Sequence, residues 1–350
     1  MHKCHRFEFL DGLRGIAALV VVVFHFTEQY GHTAYFSSAP LAVDLFFCLS
    51  GFVIAWSYCQ RLLEGMSYLE YLKRRIIRLY PMFLMGLSLG LISYLVKLYF
   101  GNTPYTPTQI IESNLFNIFY LPYFVNAVPG SINGIFLTNP PAWSLFFEVI
   151  ANGLFLFTIR LSKIKLIVFT ALFAIFFMIE VYVFRDWVGW STVNFVGGFP
   201  RTGFNFMFGV LIYKFYDDIN RLPAIHPLLI VFALLLMFLL PFHKSVVYWL
   251  FCSLFVVPLF VIAAVLVDIK TPFIKKLVLF LGWISYPLYC LHNPILNIYK
   301  GYTTTPVHFY QEIGIVFVVT LTVTYLIAKF YDDPMRAWLS RTKPAGTNAL

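Results

Sequence analysis

Mostly apolar stretches at about 10–27, 43–60, 79–99, 142–159, 165–184, 198–216, 227–241, 246–267, 278–299 and 312–330 divide the chain, each long enough to span a bilayer or nearly so. Hydrocarbon offers no water to exposed amides, so a chain patterned this way has to cross as helices that satisfy their own backbone. The seventh stretch is short and lies between Pro227 and Pro241, and the eighth contains Pro258. Of the 350 residues 60% are hydrophobic and only 12% charged, with a mean hydropathy of +0.79. A soluble domain carries about a quarter charged residues. The expected fold is therefore an all-α polytopic membrane protein of about ten transmembrane helices. Forty Phe and 22 Tyr fit lipid-facing walls and interfacial belts.

Basic residues collect on the cytoplasmic side of such proteins, so the net charge of +9 does not call for nucleic acid. With the N-terminus inside, twenty Lys and Arg fall on the inner side. Only Lys97, Arg185, Arg201, Lys244 and Lys300 fall outside. Both termini are expected in the cytoplasm. The basic start, with Lys3 and Arg6, resembles a signal peptide, but an h-region carrying His25 and lacking a small-x-small site is expected to be retained. Residues 1–335 read as one transmembrane domain and 336–350 as a short cytoplasmic tail, with no soluble domain on either side. Cys4, Cys48, Cys59, Cys252 and Cys290 form no C-x-x-C pair or metal spacing, which implies neither a disulfide framework nor a metal site. The longest non-spanning stretch, about 100–141, has no Lys or Arg and holds Pro104, Pro107, Pro122, Pro129, Pro140 and Pro141. It is expected outside, as an interfacial loop or as a lid over an acceptor site.

The first span places two ionisable groups on one face. Arg14 and His25 are eleven residues apart, roughly 1,100° of helix or three turns plus about 20°, and about 16 Å along the axis. Such groups at membrane depth usually line a cavity or reaction path. The plainer alternative is a snorkelling Arg14, paired with Asp11, and a His25 bonded to a neighbouring helix. Near the same outer level the topology brings Asp44 at the start of the second span, Glu148 about two turns into the fourth, and His292 in the ninth. At the inner level Arg74, Arg75 and Arg78 precede the third span. Guanidinium clusters grip phosphate bidentately, although a positive-inside flank would look the same. A phosphate-bearing donor with a long thin arm could anchor inside and present its reactive end near His25. A neutral imidazole there could deprotonate a hydroxyl attacking an acyl carbon, with Glu148 fixing its tautomer and Asp44 and His292 as further partners.

In order along the chain, DGLRGIAALVVVVFHF, AVDLFFCLSGFVI, RRIIRLYP, PAWSLFFEV, GWISYPLYCLHNPI and YDDPMR resemble the integral-membrane acyltransferase-3 family. The resemblance covers essentially the whole chain. It implies a ten-helix core that takes an acyl group from cytoplasmic acyl-CoA, commonly acetyl-CoA, to an acceptor on the far side. The family's Arg-x10-His pair falls on Arg14 and His25, and its R-x-x-R motif on Arg75 and Arg78, with Arg74 beside them. The acid after Trp-Ser-Leu falls on Glu148 and the His after Ser-Tyr-x-Leu-Tyr on His292, while Arg201 resembles an Arg before the family's sixth-helix Gly. Two departures stand out: Val149 occupies the place where many members have a second acid, and Pro287 replaces the usual Ser. Many relatives append an SGNH esterase-like domain, and without one the acyl group is expected to pass to the acceptor at the membrane face.

The resemblance implies an O-acetyltransferase of the bacterial inner membrane, acting on a surface carbohydrate such as lipopolysaccharide O-antigen or exopolysaccharide, or on its lipid-linked precursor. Trp143, Ser144 and Arg201 are expected on the acceptor side, though an interfacial belt explains the aromatics equally well. A covalent route would use Cys290 or Ser144, but residues i and i+2 diverge on a helix, so Cys290 points away from His292. The alternatives from other classes are a glycan transporter or flippase, which would be marked by inverted repeats and broken helices, and a membrane scaffold without catalysis.

Overall fold

A computed structural model describes residues 6–29, 35–124, 134–242, 244–302 and 309–341. Lys3, Cys4, Pro129, Lys343 and the end of the expected tail lie outside the described residues. The elements are α1 (Glu8–Gln29), α2 (Leu41–Leu63), α3 (Tyr68–Tyr99), α4 (Pro107–Ile118), α5 (Trp143–Thr158), α6 (Lys163–Phe184) and α7 (Gly198–Lys214). They continue with α8 (Tyr216–Ile219), α9 (Pro227–Leu239), α10 (Val246–Phe251), α11 (Val257–Val265), α12 (Pro272–Tyr302), α13 (Phe309–Ile327) and α14 (Asp333–Leu339). The described residues contain no β-strand, only an isolated bridge between Gly134 and Ser191. The fold is all-α, and the chain is a polytopic membrane protein.

Helices occupy all ten expected places, and eight are long and apolar enough to cross a membrane. The rod Val246–Val265 passes Pro258 by way of a π-turn at Cys252–Val256, and a second π-turn at Ala328–Asp332 carries α13 into α14. A π-turn re-routes the backbone bonds locally, so the helix continues. Two places differ in character. The helix at the seventh place has 13 residues, and α7, at the sixth, has 17, most of them buried among protein. By contrast only 22% of the apolar window of α6 is buried, and its exposed Ile, Val and Phe side chains suit lipid.

The third helix begins at Tyr68, well before the apolar stretch. Ser67 caps it by accepting from the Glu70 amide at 3.1 Å, and Glu70 complements the helix dipole in the first turn. Lys73, Arg74, Arg75 and Arg78 therefore ride on the helix rather than on a preceding loop. In the loop that follows, a capping box between Thr106 and Gln109 starts α4, which packs on α3. There Tyr123 donates to Glu112 at 2.5 Å, which raises the phenol above its ordinary pKa.

The helices pack as two groups. One joins α1, α3, α12 and α13; the other surrounds α7 with α2, α5, α6 and α11. In the first group α1 and α12 run side by side and parallel: Arg14 meets Gly282 and Ser285, and further along His25 meets His292. The approach is close because a Cβ on Gly12 would lie 2.9 Å from Val278 and one on Gly15 would overlap Leu281. Tyr286 donates to the Leu79 carbonyl and Lys97 to Asn297, so α3 runs parallel to α12 as well. One end of the bundle thus carries the arginines of α1 and α3, and the other the histidines of α1 and α12.

The second group is locked by an ion pair. Asp44 and Arg201, 0% and 1% exposed, bond twice, at 2.6 and 3.1 Å. Arg201 also donates to the carbonyls of Val188 and Pro40, and Asp44 accepts from Trp249 Nε1 and Asn205 Nδ2 at 3.3 Å. The rings of Trp143, Trp187 and Trp249 surround the guanidinium at 5.1 to 5.9 Å. Both charges are fully used inside the protein. This corrects the expectation that Asp44 assists His25 and that Arg201 faces an acceptor: burial requires each to answer the other.

Removing one partner leaves a buried charge alone. Asp44→Asn should destabilise the protein by about 3–5 kcal/mol, read as a fall in thermal unfolding temperature in detergent. The double variant Asp44→Leu with Arg201→Met should lose less than either single change. Where α2 crosses α7, a Cβ on Gly51 would overlap the Phe206 carbonyl. Gly51→Ala should therefore cost about 1–3 kcal/mol by overpacking, measured by the same unfolding assay.

Candidate functional site

Two adjoining cavities lie where the two helix groups meet. The outer one opens at the arginine end, holds about 500 Å³, and is lined by five arginines: Arg61, Arg74, Arg75, Arg78 and Arg336. Arg74 is tied to Glu70 on its own helix, and Arg336 pairs with Asp332 and Asp333 of the YDDPMR segment. Arg78 lies over the Tyr286 ring at 6.0 Å and makes no hydrogen bond among the described residues. The Nε of Arg336 is a buried donor likewise without a hydrogen-bond partner there. Guanidinium donors left over in a concave site are suited to phosphate oxygens.

The inner cavity, about 130 Å³, shares Arg75, Arg78, Val53 and Ile54 with the first and runs on past Arg14, Ser50, Ser144, Glu148, Ser285 and Tyr286 to Tyr289. Arg14 donates to Asp11, to the Gly282 carbonyl and to Ser285, each within 2.8 to 2.9 Å. The pairing with Asp11 is as expected, and Asp11 also takes Arg6. Arg14 is nevertheless a wall of the cavity as well as a bolt between α1 and α12.

The structure corrects the placement of Glu148. Its Oε1 accepts from Arg75 Nη2 at 3.1 Å and from Ser50 Oγ at 3.0 Å, so it belongs to the arginine cluster and not beside His25. Asn152, one turn on, accepts from Arg75 Nε and from the Tyr71 hydroxyl, both at 2.9 Å, and donates to the Glu148 carbonyl. Tyr71, Arg75, Glu148 and Asn152 thus form one closed network between α3 and α5. The spacing was available to be read: Tyr71 stands four before Arg75 and Asn152 four after Glu148, each pair on one helix face.

At the other end the two histidines do meet. Their rings stack at 5.2 Å between centroids with 29° between planes. The Nδ1 of His292 lies 3.0 Å from the Leu288 carbonyl, which can only accept, so Nδ1 carries the proton and Nε2 is a bare acceptor. That Nε2 is buried and has no partner among the described residues. The carboxylate beside His25 is Glu28, one turn along α1, at 3.3 Å from Nδ1. It holds Nδ1 as donor and leaves Nε2 of His25 as the basic nitrogen. Glu28 went unnoticed in the sequence although H-x-x-E at i, i+3 is the signal for it.

His25 lines neither cavity. Tyr289 is the wall between: it lines the inner cavity, and its ring lies 6.0 Å from that of His292. The Tyr289 hydroxyl donates to the Pro141 carbonyl at 2.8 Å and sits 2.7 Å from Ser144 Oγ. Ser144 therefore faces the inner cavity rather than an acceptor outside. Trp143 is 8% exposed, packed on Phe147 and beside Arg201, which corrects its expected place as an open sugar platform. Cys290 is buried. Among the described residues no three His, Cys, Asp or Glu gather as a metal site would need.

Comparison with known proteins adds to this geometry. "Protein 2 in picA locus" of Rhizobium radiobacter is 36% identical over 160 residues, covering 43% of this chain and 81% of that protein. No solved structure matches the chain. The family model described as an acyltransferase domain matches residues 7–329, which takes in every residue that lines the inner cavity, both histidines, and all of the larger cavity's lining except Arg336 and Ser340. The protein belongs to the acyltransferase-3 family and is a membrane acyltransferase.

Proposed function

We propose that the protein is an O-acetyltransferase of the bacterial inner membrane that moves an acetyl group from cytoplasmic acetyl-CoA to a hydroxyl of a surface carbohydrate, such as lipopolysaccharide O-antigen or exopolysaccharide. The observation that carries this reading is the five-arginine cavity continuing inward to Tyr289, one ring away from the stacked histidines. The bias of Lys and Arg toward the side of the N-terminus puts the arginine end in the cytoplasm, where acetyl-CoA is made. Arg75, Arg78, Arg61 and Arg336 would hold the donor's phosphates, with Arg74 at the rim and Arg14 beside the arm. Glu148 and Asn152 fix the fork of Arg75, which lines both cavities with three N–H donors still unused.

At the histidine end, Nε2 of His25 takes the proton of the acceptor hydroxyl as that oxygen bonds to the thioester carbon. Glu28 on Nδ1 stabilises the imidazolium that results. When the carbon–sulfur bond breaks, the imidazolium returns the proton to the leaving thiolate, and the ester and free thiol are the products. The neutral His292 ring packs against His25 and limits its rotation. For the thioester to reach His25 the Tyr289 side chain has to swing, a change of rotamer and of two hydrogen bonds.

The test uses purified protein in liposomes with labelled acetyl-CoA and an extract of surface glycans. Label should appear as ester on glycan, and His25→Ala should lower the rate by about 10²–10⁴-fold. Movement of glycan with no thioester consumed would make the protein a transporter instead. Glu28→Gln should reduce kcat with little change in the KM for acetyl-CoA. Arg78→Ala should do the opposite, because a phosphate contact binds ground and transition states alike.

A further inference from the structure

The histidine end carries a charge that the chemistry above leaves unused. Lys97, near the end of α3, is half-buried and forms no ion pair with Glu28, Glu312 or any other acid among the described residues. Its ammonium gives one bond to Asn297 Oδ1, at 2.7 Å, and lies 4.9 Å from the centre of the Tyr94 ring. Asn297 is held in turn by a bond to Asn293, the residue after His292. Lys300, on the same helix as Asn297, adds a second positive charge close enough to oppose the first and donates to the Gln29 carbonyl, one turn beyond His25. Two ammonium groups, an amide pair and an aromatic ring thus gather at the histidine end of the bundle. Asn297 is five residues from His292, about 7.5 Å along the axis.

An ammonium withdrawn from water is costly unless an anion or several acceptors answer it. An amide oxygen and a ring face answer it only in part. An ammonium has three donors, and one is used on Asn297. The buried charges of Asp44 and Arg201, by contrast, meet one another in full. Lys97 is answered only in part, and it stands at the end of the bundle that carries the group that is to deprotonate the acceptor.

We infer that Lys97, supported by Asn297 and Lys300, is the seat of an anionic group on the acceptor, so that the carbohydrate acylated here carries a carboxylate or a phosphate near the reacting hydroxyl. This rests on the reading of the histidine end as the acceptor side. A charged anchor there would place the hydroxyl against His25 Nε2 while the sugar ring itself makes few contacts. Lys97 is then a specificity-determining residue and takes no part in moving protons.

The experiment reads binding, with the full chain in phosphatidylcholine nanodiscs and two probes that share one ring, octyl glucuronide and octyl glucoside. The native protein should bind the glucuronide about tenfold tighter, the size of one charge-assisted hydrogen bond. Lys97→Gln should bring the preference close to one, and Lys97→Arg should keep it. Asn297→Asp, which gives the ammonium an internal counter-ion, should also abolish it. Unchanged unfolding temperatures show that the variants are folded. Equal binding of both probes by the native protein, or a preference that survives Lys97→Gln, overturns the inference. So does displacement of the glucuronide when phosphatidylglycerol is added to the nanodiscs, because the seat then belongs to a lipid headgroup. If acetyl-CoA is never consumed while the charge preference stands, it is the acetyltransferase reading that falls.

Discussion

The seam between α1 and α12 sets the depth of every group in the site. Gly12 and Gly15 on one helix and Gly282 on the other leave no room for side chains between the backbones, so the two rods touch along their length. Their register is fixed at one end by Arg14 on the Gly282 carbonyl and Ser285, and at the other by the stack of His25 on His292. A slide of one residue would turn each side chain by about 100° and lose both contacts. In a bilayer, where apolar packing against a neighbour gains little over packing against lipid tails, close backbone approach and polar bonds have to supply the association.

With that seam in place, the division of charges follows from dielectric cost. Ionisable side chains inside the bundle are matched by protein to different degrees, and the ways in which they are matched sort structure from site. Asp44 and Arg201 satisfy one another with several neutral donors and acceptors around them, and nothing is left to bind a ligand. Arg75 is held by Glu148 and Asn152 but still lines both cavities. Arg78 and His292 Nε2 lack hydrogen-bond partners among the described residues, and they stand on the two sides of Tyr289. The unanswered groups thus lie on the two sides of the tyrosine, which walls the inner cavity off from the histidines.

The placement of the carboxylates shows why a one-dimensional reading stops short. Asp44 and Glu148 both have plausible roles by sequence, yet the carboxylate that stands beside His25 is Glu28. A helix position gives the depth of a side chain to within a turn and its face to within about 100°, but not which neighbouring helix that face meets. Trp143 illustrates the same limit. It opens a helix at the level where an aromatic belt or sugar platform would sit, and the fold of α7 beside it closes it off against Arg201.

By itself the sequence determined that this chain crosses a membrane as helices, which helices carry arginine and histidine, and that Arg14 and His25 share a face of α1. Those follow from periodicity and hydropathy, which are local properties of the chain. The order of motifs also pointed to the family that the comparisons then established. Only the tertiary structure decided that Asp44 and Arg201 are a lock, that Glu148 serves an arginine, that Arg61 and Arg336 join the cavity wall, and that Tyr289 stands between the two halves of the site. Each of those depends on contacts between residues tens to hundreds of positions apart, and pairings of that kind are fixed by how whole helices pack and by the need to neutralise what they bury.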